Sequence, residues 1–378
     1  MVCLVSMCWS VSPSPWTGRI AVCGWSHAHK RCSPLGDSCL YRPWPVACQP
    51  CTRPARALCS GTRAPTDDTS CAEETDMPPK PAVSLAAVAG RRQATLELAQ
   101  RLEQEGFSGI YCPSFGDGMG LCEALALSTH EIPFGTSIAN IYTRHPADYA
   151  QTAALIHELS RGRFRFGIGI SHGPTYERLG LTVGKPLSDI RRFVHAFRAG
   201  AGQAGELPPV VLATLRQKML QLAGELGQGA VWANAARAHM PRSLQHLSAE
   251  KRHDPAFFLG NMVPTCIDDD KAAAAAVNRR TLSSYVRLPN YQNYWIEAGF
   301  EEEMQAIRQT IANKEDDKIP GLMSERWLQQ VTLYGSAAEV REGIAAWYET
   351  GINTLIVVPS STRGGQLVAF QELIEALR

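Results

Sequence analysis

The chain has 378 residues, 45% of them hydrophobic and 19% charged, with a formal net charge of +1. That length allows one large domain or two ordinary ones. The balanced charge argues against a nucleic-acid partner, and no apolar run of about 18 residues is present to span a membrane. Twelve cysteines suggest a disulfide or metal protein until they are placed. Cys3, Cys8, Cys23, Cys32, Cys39, Cys48, Cys51, Cys59 and Cys71 crowd the opening stretch, and only Cys112, Cys122 and Cys266 lie beyond it.

Residues 1–76 show no sustained hydrophobic period, and prolines recur at 13, 15, 34, 43, 45, 50, 54 and 65, which breaks regular elements. A secretory signal is not supported, because Met1–Trp9 has no early Lys or Arg and no unbroken apolar core. Nine cysteines do not pair evenly. Cys48-Gln-Pro-Cys51 is a single CxxC without a second pair. His27-Ala-His29 resembles paired metal ligands but ends no barrel strand. The segment reads as a disordered extension, or as translated upstream sequence ahead of a start at Met77.

From Met77 the chain becomes regular, and short β-rich runs alternate with amphipathic helical stretches. The first strand is expected over Val83–Val88, with a helix over Gln93–Glu105 closed by Gly106. A second pair follows at Gly109–Cys112 and Leu121–Thr129. The third strand is expected over Phe134–Ala139 and its helix over Pro146–Leu159, with Pro146 in the first turn and Thr143 as the cap. The fourth pair is Arg163–Ile170 and Pro186–Ala199. The fifth is Pro209–Ala213 and a helix carrying Leu215, Met219, Leu222 and Leu226. A short strand over Ala230–Ala233 precedes a helical Pro241–Ser248. The seventh strand is Phe257–Cys266, after which Asp268, Asp269 and Asp270 cap an alanine-rich helix. Residues 286–334 read as an inserted helical stretch. Ala337–Thr350 is helical, Thr354–Val358 is the last strand, and a helix with Leu367, Phe370, Ile374 and Leu377 closes the chain. Eight such pairs predict a (β/α)8 TIM barrel, an α/β fold over 77–378 with a helical insertion before the last strand. A doubly wound sheet is the alternative, but the Gly-x-Gly-x-x-Gly loop it requires after its first strand is missing.

In such a barrel the chemistry sits on the loops after the strand C-terminal ends. After the second strand only Asp117 titrates, and it reads as a turn residue. The third strand ends in Asn140-Ile-Tyr142-Thr-Arg144-His145, an amide, a phenol, a cation and an imidazole together. The fourth ends in Gly167-Ile-Gly169-Ile-Ser171-His172. Its glycines permit close approach of a ligand, and Ser171 and His172 offer hydrogen bonds. Adjacent residues on a strand point to opposite faces, so Ser171 and His172 do not form a nucleophile pair. Thr214, Arg216 and Lys218 open the fifth helix as a candidate phosphate site. These loops show neither metal-ligand spacing nor a converging carboxylate pair. A site of this kind suits a large cofactor that does the chemistry itself.

Four stretches, in order, resemble the luciferase-like superfamily of flavin- and deazaflavin-dependent oxidoreductases. They are Asn140-Ile-Tyr-Thr-Arg-His-Pro146, Gly162-Arg-Phe-Arg-Phe-Gly-Ile168, Lys218-Met-Leu-Gln-Leu-Ala-Gly-Glu225, and Leu333-Tyr-Gly-Ser-Ala-Ala-Glu-Val-Arg341 followed by Gly351-Ile-Asn. The resemblance covers about residues 80–378. It implies FMN or a deazaflavin across the barrel mouth, and a non-prolyl cis peptide at Ser137–Ile138. Ser137, Ile138 and Asn140 would border the ring, Gly169, Ser171 and His172 the ring or its side chain, and Thr214 and Arg216 the phosphate. His172 and Tyr176 are the candidate proton donors. The chain also departs from the family. Ile170 stands where luciferase-type members carry a phosphate-binding arginine, and Thr214-Leu215 stands in place of their Glu-Ser pair. Arg216-Gln217 replaces the Gly-Pro of many deazaflavin members. Pro113-Ser114-Phe115 lacks the catalytic histidine of the sugar-oxidising ones.

The expected function is a cofactor-dependent oxidoreductase or monooxygenase acting on a small organic substrate. The alternative is a non-catalytic cofactor-binding or partner protein on the same barrel. No metal, nucleic-acid or membrane partner is expected. The three later cysteines fit a reducing cytoplasm, and the resemblance implies a homodimer.

Overall fold

The computed structural model describes residues 79–378. The expectations for residues 1–76, including His27, His29 and the Cys48–Cys51 pair, lie outside the described residues.

Ten strands run through the chain: β1 Ala82–Ser84, β2 Ile110–Cys112, β3 Phe134–Thr136, β4 Ala139–Asn140, β5 Phe164–Gly169, β6 Val210–Ala213, β7 Gly229–Ala233, β8 Phe258–Ile267, β9 Leu333–Gly335 and β10 Thr354–Ser360. All pairings are parallel, in the order β1-β2-β3-β5-β6-β7-β8-β10, with β4 continuing β3 beside β5. The ring closes where Ala82 and Val83 register with Ile356 and Val357 of β10. This is the expected eight-stranded parallel barrel. β9 is additional. It pairs with Thr265–Ile267 of β8, past the stretch of β8 that pairs with β7.

The third strand differs most from expectation. It is broken into β3 and β4, although the Ser137–Ile138 peptide between them is cis, as the resemblance implied. Gly135 faces Arg165, and Ala139 faces Ile168. Four steps on this strand therefore oppose three on β5, which is a bulge. β5 can follow it only where side chains are absent. A Cβ on Gly167 would overlap the Thr136 carbonyl oxygen, and one on Gly135 would overlap that of Arg165.

Smaller differences have local causes. β1 ends at Ser84 rather than Val88, because the Gln366 side chain occupies both the N–H and the carbonyl of Ala86. Thr143 does not cap the helix Pro146–Leu159; His145 does, its Nδ1 accepting from the Ala147 N–H at 3.2 Å. Thr143 instead donates to the Asn140 carbonyl. Of the three aspartates, Asp270 alone caps Lys271–Leu282, accepting from the N–H groups of Ala272 and Ala273. Asp268 turns to the Asp270 N–H and Thr362. A helix not expected from the sequence, Gly173–Leu179, follows β5.

Inside the ring, Ala82, Tyr111, Val211, Val231, Phe258 and Ile356 form a plug, with Ile138, Ala213 and Met262 packed on it. The barrel is thus a filled core rather than a pore. Outside, strands and helices share a larger core that includes Phe134, Phe164, Phe166 and Phe197. Trp232, Trp295, Trp327 and Trp347 are all fully buried. The insertion contributes helices Pro289–Glu297, Glu301–Ala312, Ile319–Leu322 and Glu325–Val331. It is pinned to the loop after β7. Trp295 Nε1 donates to the Asn234 carbonyl at 3.1 Å, and the Ala236 N–H donates to the Tyr294 hydroxyl at 3.1 Å.

Gly167→Ala is expected to destabilise the fold by about 3 kcal/mol, the upper range for forcing atoms into a packed site. A urea unfolding midpoint within error of the wild type would contradict the close approach described here.

Candidate functional site

The C-terminal ends of the strands surround a cavity of about 840 Å³. Its floor is the top of the plug: Ile138, Ala213, Val231 and Met262. The Ser137 hydroxyl lies 3.0 Å from the Met262 sulfur, which ties the bulge to β8 across the barrel. Asn140 is held from two sides. Its Oδ1 accepts from the Tyr142 N–H at 3.0 Å, and its carbonyl accepts from the Thr143 and Tyr149 hydroxyls. Its Nδ2 has no hydrogen-bond partner among the described residues. The same is true of Thr214 Oγ1 and Trp232 Nε1. All three residues are buried and line the cavity. Unmade bonds on buried donors cost about 1–3 kcal/mol each. The arrangement therefore fits a ligand with hydrogen-bond acceptors along one edge.

The structure brings Ser137, Ile138, Asn140, Ser171, His172, Thr214 and Arg216 to this one cavity. Gly169 lies behind the wall, where a Cβ would meet Ile138 and Ala213 at 3.0 and 2.9 Å. The Tyr176 side chain is turned back, its hydroxyl donating to the Ser171 carbonyl at 3.1 Å. Arg216 reaches the Glu297 carboxylate. Two further arginines, Arg144 and Arg178, line the cavity. Arg144 stands 3.9 Å from Asp117 and over the Tyr149 ring. The Asp117 side chain caps the helix Gly118–Ser128, as a turn aspartate should.

One wall is the helix Gly173–Leu179, whose residues are all at least partly exposed. It begins after Ser171, at φ 63°, and ends at Gly180, at φ 61°. Its attachment runs through Tyr176, packed edge-on against Tyr142 with centroids 5.9 Å apart. The Tyr142 hydroxyl donates to the buried carboxylate of Asp189 at 2.7 Å. Asp189 also accepts from the Gly184 N–H at 2.9 Å and from Arg192 at 2.6 Å. Burial, and then the bond to Asp189, push the Tyr142 hydroxyl above its ordinary range. Burial raises Tyr176 in the same direction, so both phenols keep their protons at neutral pH.

The opposite wall comes from the insertion. Tyr291 packs edge-on against His172, 5.5 Å between centroids, and against Tyr285 at 5.1 Å. Burial lowers the His172 pKa, so its imidazole is neutral at pH 7. Sequence reasoning missed Tyr285, Tyr291, Trp232, Met262 and Asp189. The aromatic run Tyr291-Gln-Asn-Tyr-Trp295 marks a buried helix face, but nothing in it tells which strand end it covers. Among the described residues there is no group of three or more His, Cys, Asp or Glu placed to hold a metal ion.

A filled parallel barrel with a cavity at the strand C-terminal ends defines the TIM-barrel class. Within it, residues 75–354 match the family described as luciferase-like monooxygenase, and the chain belongs to that family. It is 29% identical over 154 residues to a 5,10-methylenetetrahydromethanopterin reductase from Methanolobus tindarius. That stretch is 35% of this chain and 47% of the reductase, so the chain spans about half the length of that relative. The coenzyme F420 dependent tetrahydromethanopterin reductase from Methanopyrus kandleri shares the fold with a TM-score of 0.63 at 16% identity. The match covers 79% of this chain and all (100%) of that one. The oxygenating constituent of 3,6-diketocamphane monooxygenase from Pseudomonas putida, in complex with FMN, superposes with a TM-score of 0.51 at 17% identity. That match covers 78% of this chain and 96% of the other. Among the described residues no helix is long and apolar enough to cross a membrane.

His172 gives a pH signature. With its folded pKa below the ordinary value of about 6.5, the unfolded chain takes up the proton first as pH falls. Stability is therefore intact above about pH 6.5 and declines below it through this group. The decline between about pH 6.5 and 5 should be smaller in His172→Gln, read from urea midpoints across the range.

Proposed function

We propose that the chain is an oxidoreductase that holds FMN or a deazaflavin in this cavity and acts on a small organic substrate. One observation carries the reading. Asn140, Thr214 and Trp232 line the cavity beside Ile138, Ala213 and Met262, and each carries a buried polar atom with no partner among the described residues. That combination suits a flat ring with an acceptor-bearing edge and an apolar body. When bound, such a ring supplies hydride transfer or, in its reduced flavin form, reaction with oxygen.

The chain's own residues would bind, orient and exclude water. Ser137, Ile138 and Asn140 would hold the ring at the bulge, with Gly169 leaving room for Ile138. Ser171 would hold the ring's side chain. Arg216, with Arg144 and Arg178, would supply positive charge for a phosphate, since Ile170 offers none. Tyr291 and Tyr285 close the cavity from the insertion and keep it dry. His172 is the better proton donor or acceptor of the two candidates. It is neutral and lines the cavity, whereas the Tyr176 hydroxyl is committed to the Ser171 carbonyl.

Ile170 and Thr214-Leu215, standing where luciferase-type members carry a phosphate-binding arginine and a Glu-Ser pair, favour a second reading, a binding protein without turnover. Visible and fluorescence titrations of the full chain with FMN and with coenzyme F420 test the first. One of the two should bind saturably at one equivalent, and Asn140→Ala should weaken it about tenfold, the value of one hydrogen bond to a buried edge. Absence of binding of either at high micromolar concentration rejects the proposal. Binding with no oxidation or reduction of any added substrate favours the second reading.

The proposal extends to compartment and assembly. Cys112, Cys122 and Cys266 are buried free thiols, the state a reducing cytoplasm maintains. Leu155 and Leu159 lie one turn apart on Pro146–Leu159, and Leu127 on the neighbouring helix. All three are exposed, a surface suited to a symmetric partner. Light scattering should give twice the chain mass, and Leu127→Glu with Leu155→Glu should reduce it to one. A wild-type monomer rules out the dimer.

A further inference from the structure

Beside the mouth of the cavity lies a second, more open pocket of about 610 Å³. It is lined by Arg280, Ser283, Ser284, Arg287 and Asn290, with Gly173 and Pro174 opposite, and includes no acidic residue. Asn290 lines both pockets, so the two are neighbours there.

The ordinary explanation for arginines at this place is the end of the helix Lys271–Leu282, where cations favour the carbonyl ends. The hydrogen bonds assign that task elsewhere. The Ser283 hydroxyl donates to the Arg279 carbonyl at 2.8 Å, and the Ser284 hydroxyl to that of Thr281 at 3.5 Å. Arg279 itself turns to the Met323 carbonyl and Glu325. Arg287 meets Asp316 at 2.7 Å, an exposed pair of the kind worth little in water. The Arg280 guanidinium makes neither a hydrogen bond nor an ion pair among the described residues. Two guanidinium groups, one free and one weakly engaged, thus border a recess beside the main cavity. Guanidinium forks match the planar or tetrahedral oxygens of carboxylates and phosphates.

We propose that this shelf seats the anionic group, a carboxylate or a phosphate, of an organic substrate whose reactive end extends past Asn290 into the main cavity. The inference rests on the reading of that cavity as the reaction site. It narrows the substrate class to elongated organic anions and makes Arg280 and Arg287 specificity residues that do not touch the reacting atoms.

The test is isothermal titration of the full chain with two probes at low salt, inorganic pyrophosphate and tricarballylate. The wild type should bind at least one saturably, and the preferred probe distinguishes phosphate from carboxylate recognition. Arg280→Gln should weaken that binding at least fivefold, and the Arg280→Gln, Arg287→Gln double variant should abolish it. Arg280→Lys, which keeps the charge and loses the fork, should bind between the wild type and Arg280→Gln, and urea midpoints should show all variants folded. Affinities for FMN and coenzyme F420 should not change. Failure of the wild type to bind either anion overturns the proposal, as does undiminished binding in the double variant. So does a parallel loss of FMN or F420 affinity, which would give the shelf to the cofactor. Arginine-dependent anion binding by a chain that takes neither cofactor would leave the shelf standing while rejecting the oxidoreductase reading.

Discussion

The mouth of this barrel depends on a contact between backbones. β5 runs so close to the bulge between β3 and β4 that a methyl group on Gly167 or Gly135 would overlap a carbonyl oxygen. That approach lets Ala139 and Asn140 resume pairing with Ile168 and Gly169 after the cis peptide. It thereby sets the height at which Ser137, Ile138 and Asn140 meet the cavity. Asn140 is then fixed so fully through its oxygens that its Nδ2 is left with no partner in the chain. The unpartnered donor is thus a consequence of how the strand is bent. The apolar plug and buried tryptophans around it raise the cost of that missing bond rather than lower it.

The two walls above this floor are built differently. The insertion wall is anchored by buried aromatic packing, with Trp295 edge-on to Trp327 at 4.9 Å between centroids, and by two hydrogen bonds to the loop after β7. The facing wall hangs on a relay from Tyr176 to Tyr142 to Asp189. Asp189 joins that wall to the loop before its own helix, because one buried carboxylate accepts from a phenol, an amide and a guanidinium at once. A charge so placed needs all its partners, which couples the loop and helix around Asp189 to Tyr142, 47 residues earlier in the chain.

Much of this was legible from residues alone. Hydrophobic period and strand–helix alternation located the eight barrel strands, and Pro146 and Pro186 marked their helix starts to the residue. The candidate residues at the third and fourth strand ends did converge on one cavity, because a parallel barrel sends every strand end to the same face. What failed were features decided across the fold. Thr143 looked like a cap, but the Asn140 carbonyl claims its hydroxyl. Arg216 does reach the cavity, but its pairing with Glu297 from the insertion could not be read from the sequence. Asp189 lies in the first turn of its helix, and only tertiary packing reveals it as a buried acceptor. The short helix Gly173–Leu179 carries no apolar stripe, so periodicity had nothing to detect.

That missing stripe has a further meaning. A helix that buries none of its residues is excluded from the cooperative core, so its opening free energy is set locally and stays far below that of the barrel. Amide hydrogens there would exchange while those of β5, which ends two residues before Ser171, stay protected. Any molecule lodged beneath it would therefore bind with an affinity scaled by the fraction of time the helix is seated. Substitutions at Tyr142 or Asp189, remote from the ligand, would change apparent affinity without altering a single contact to it.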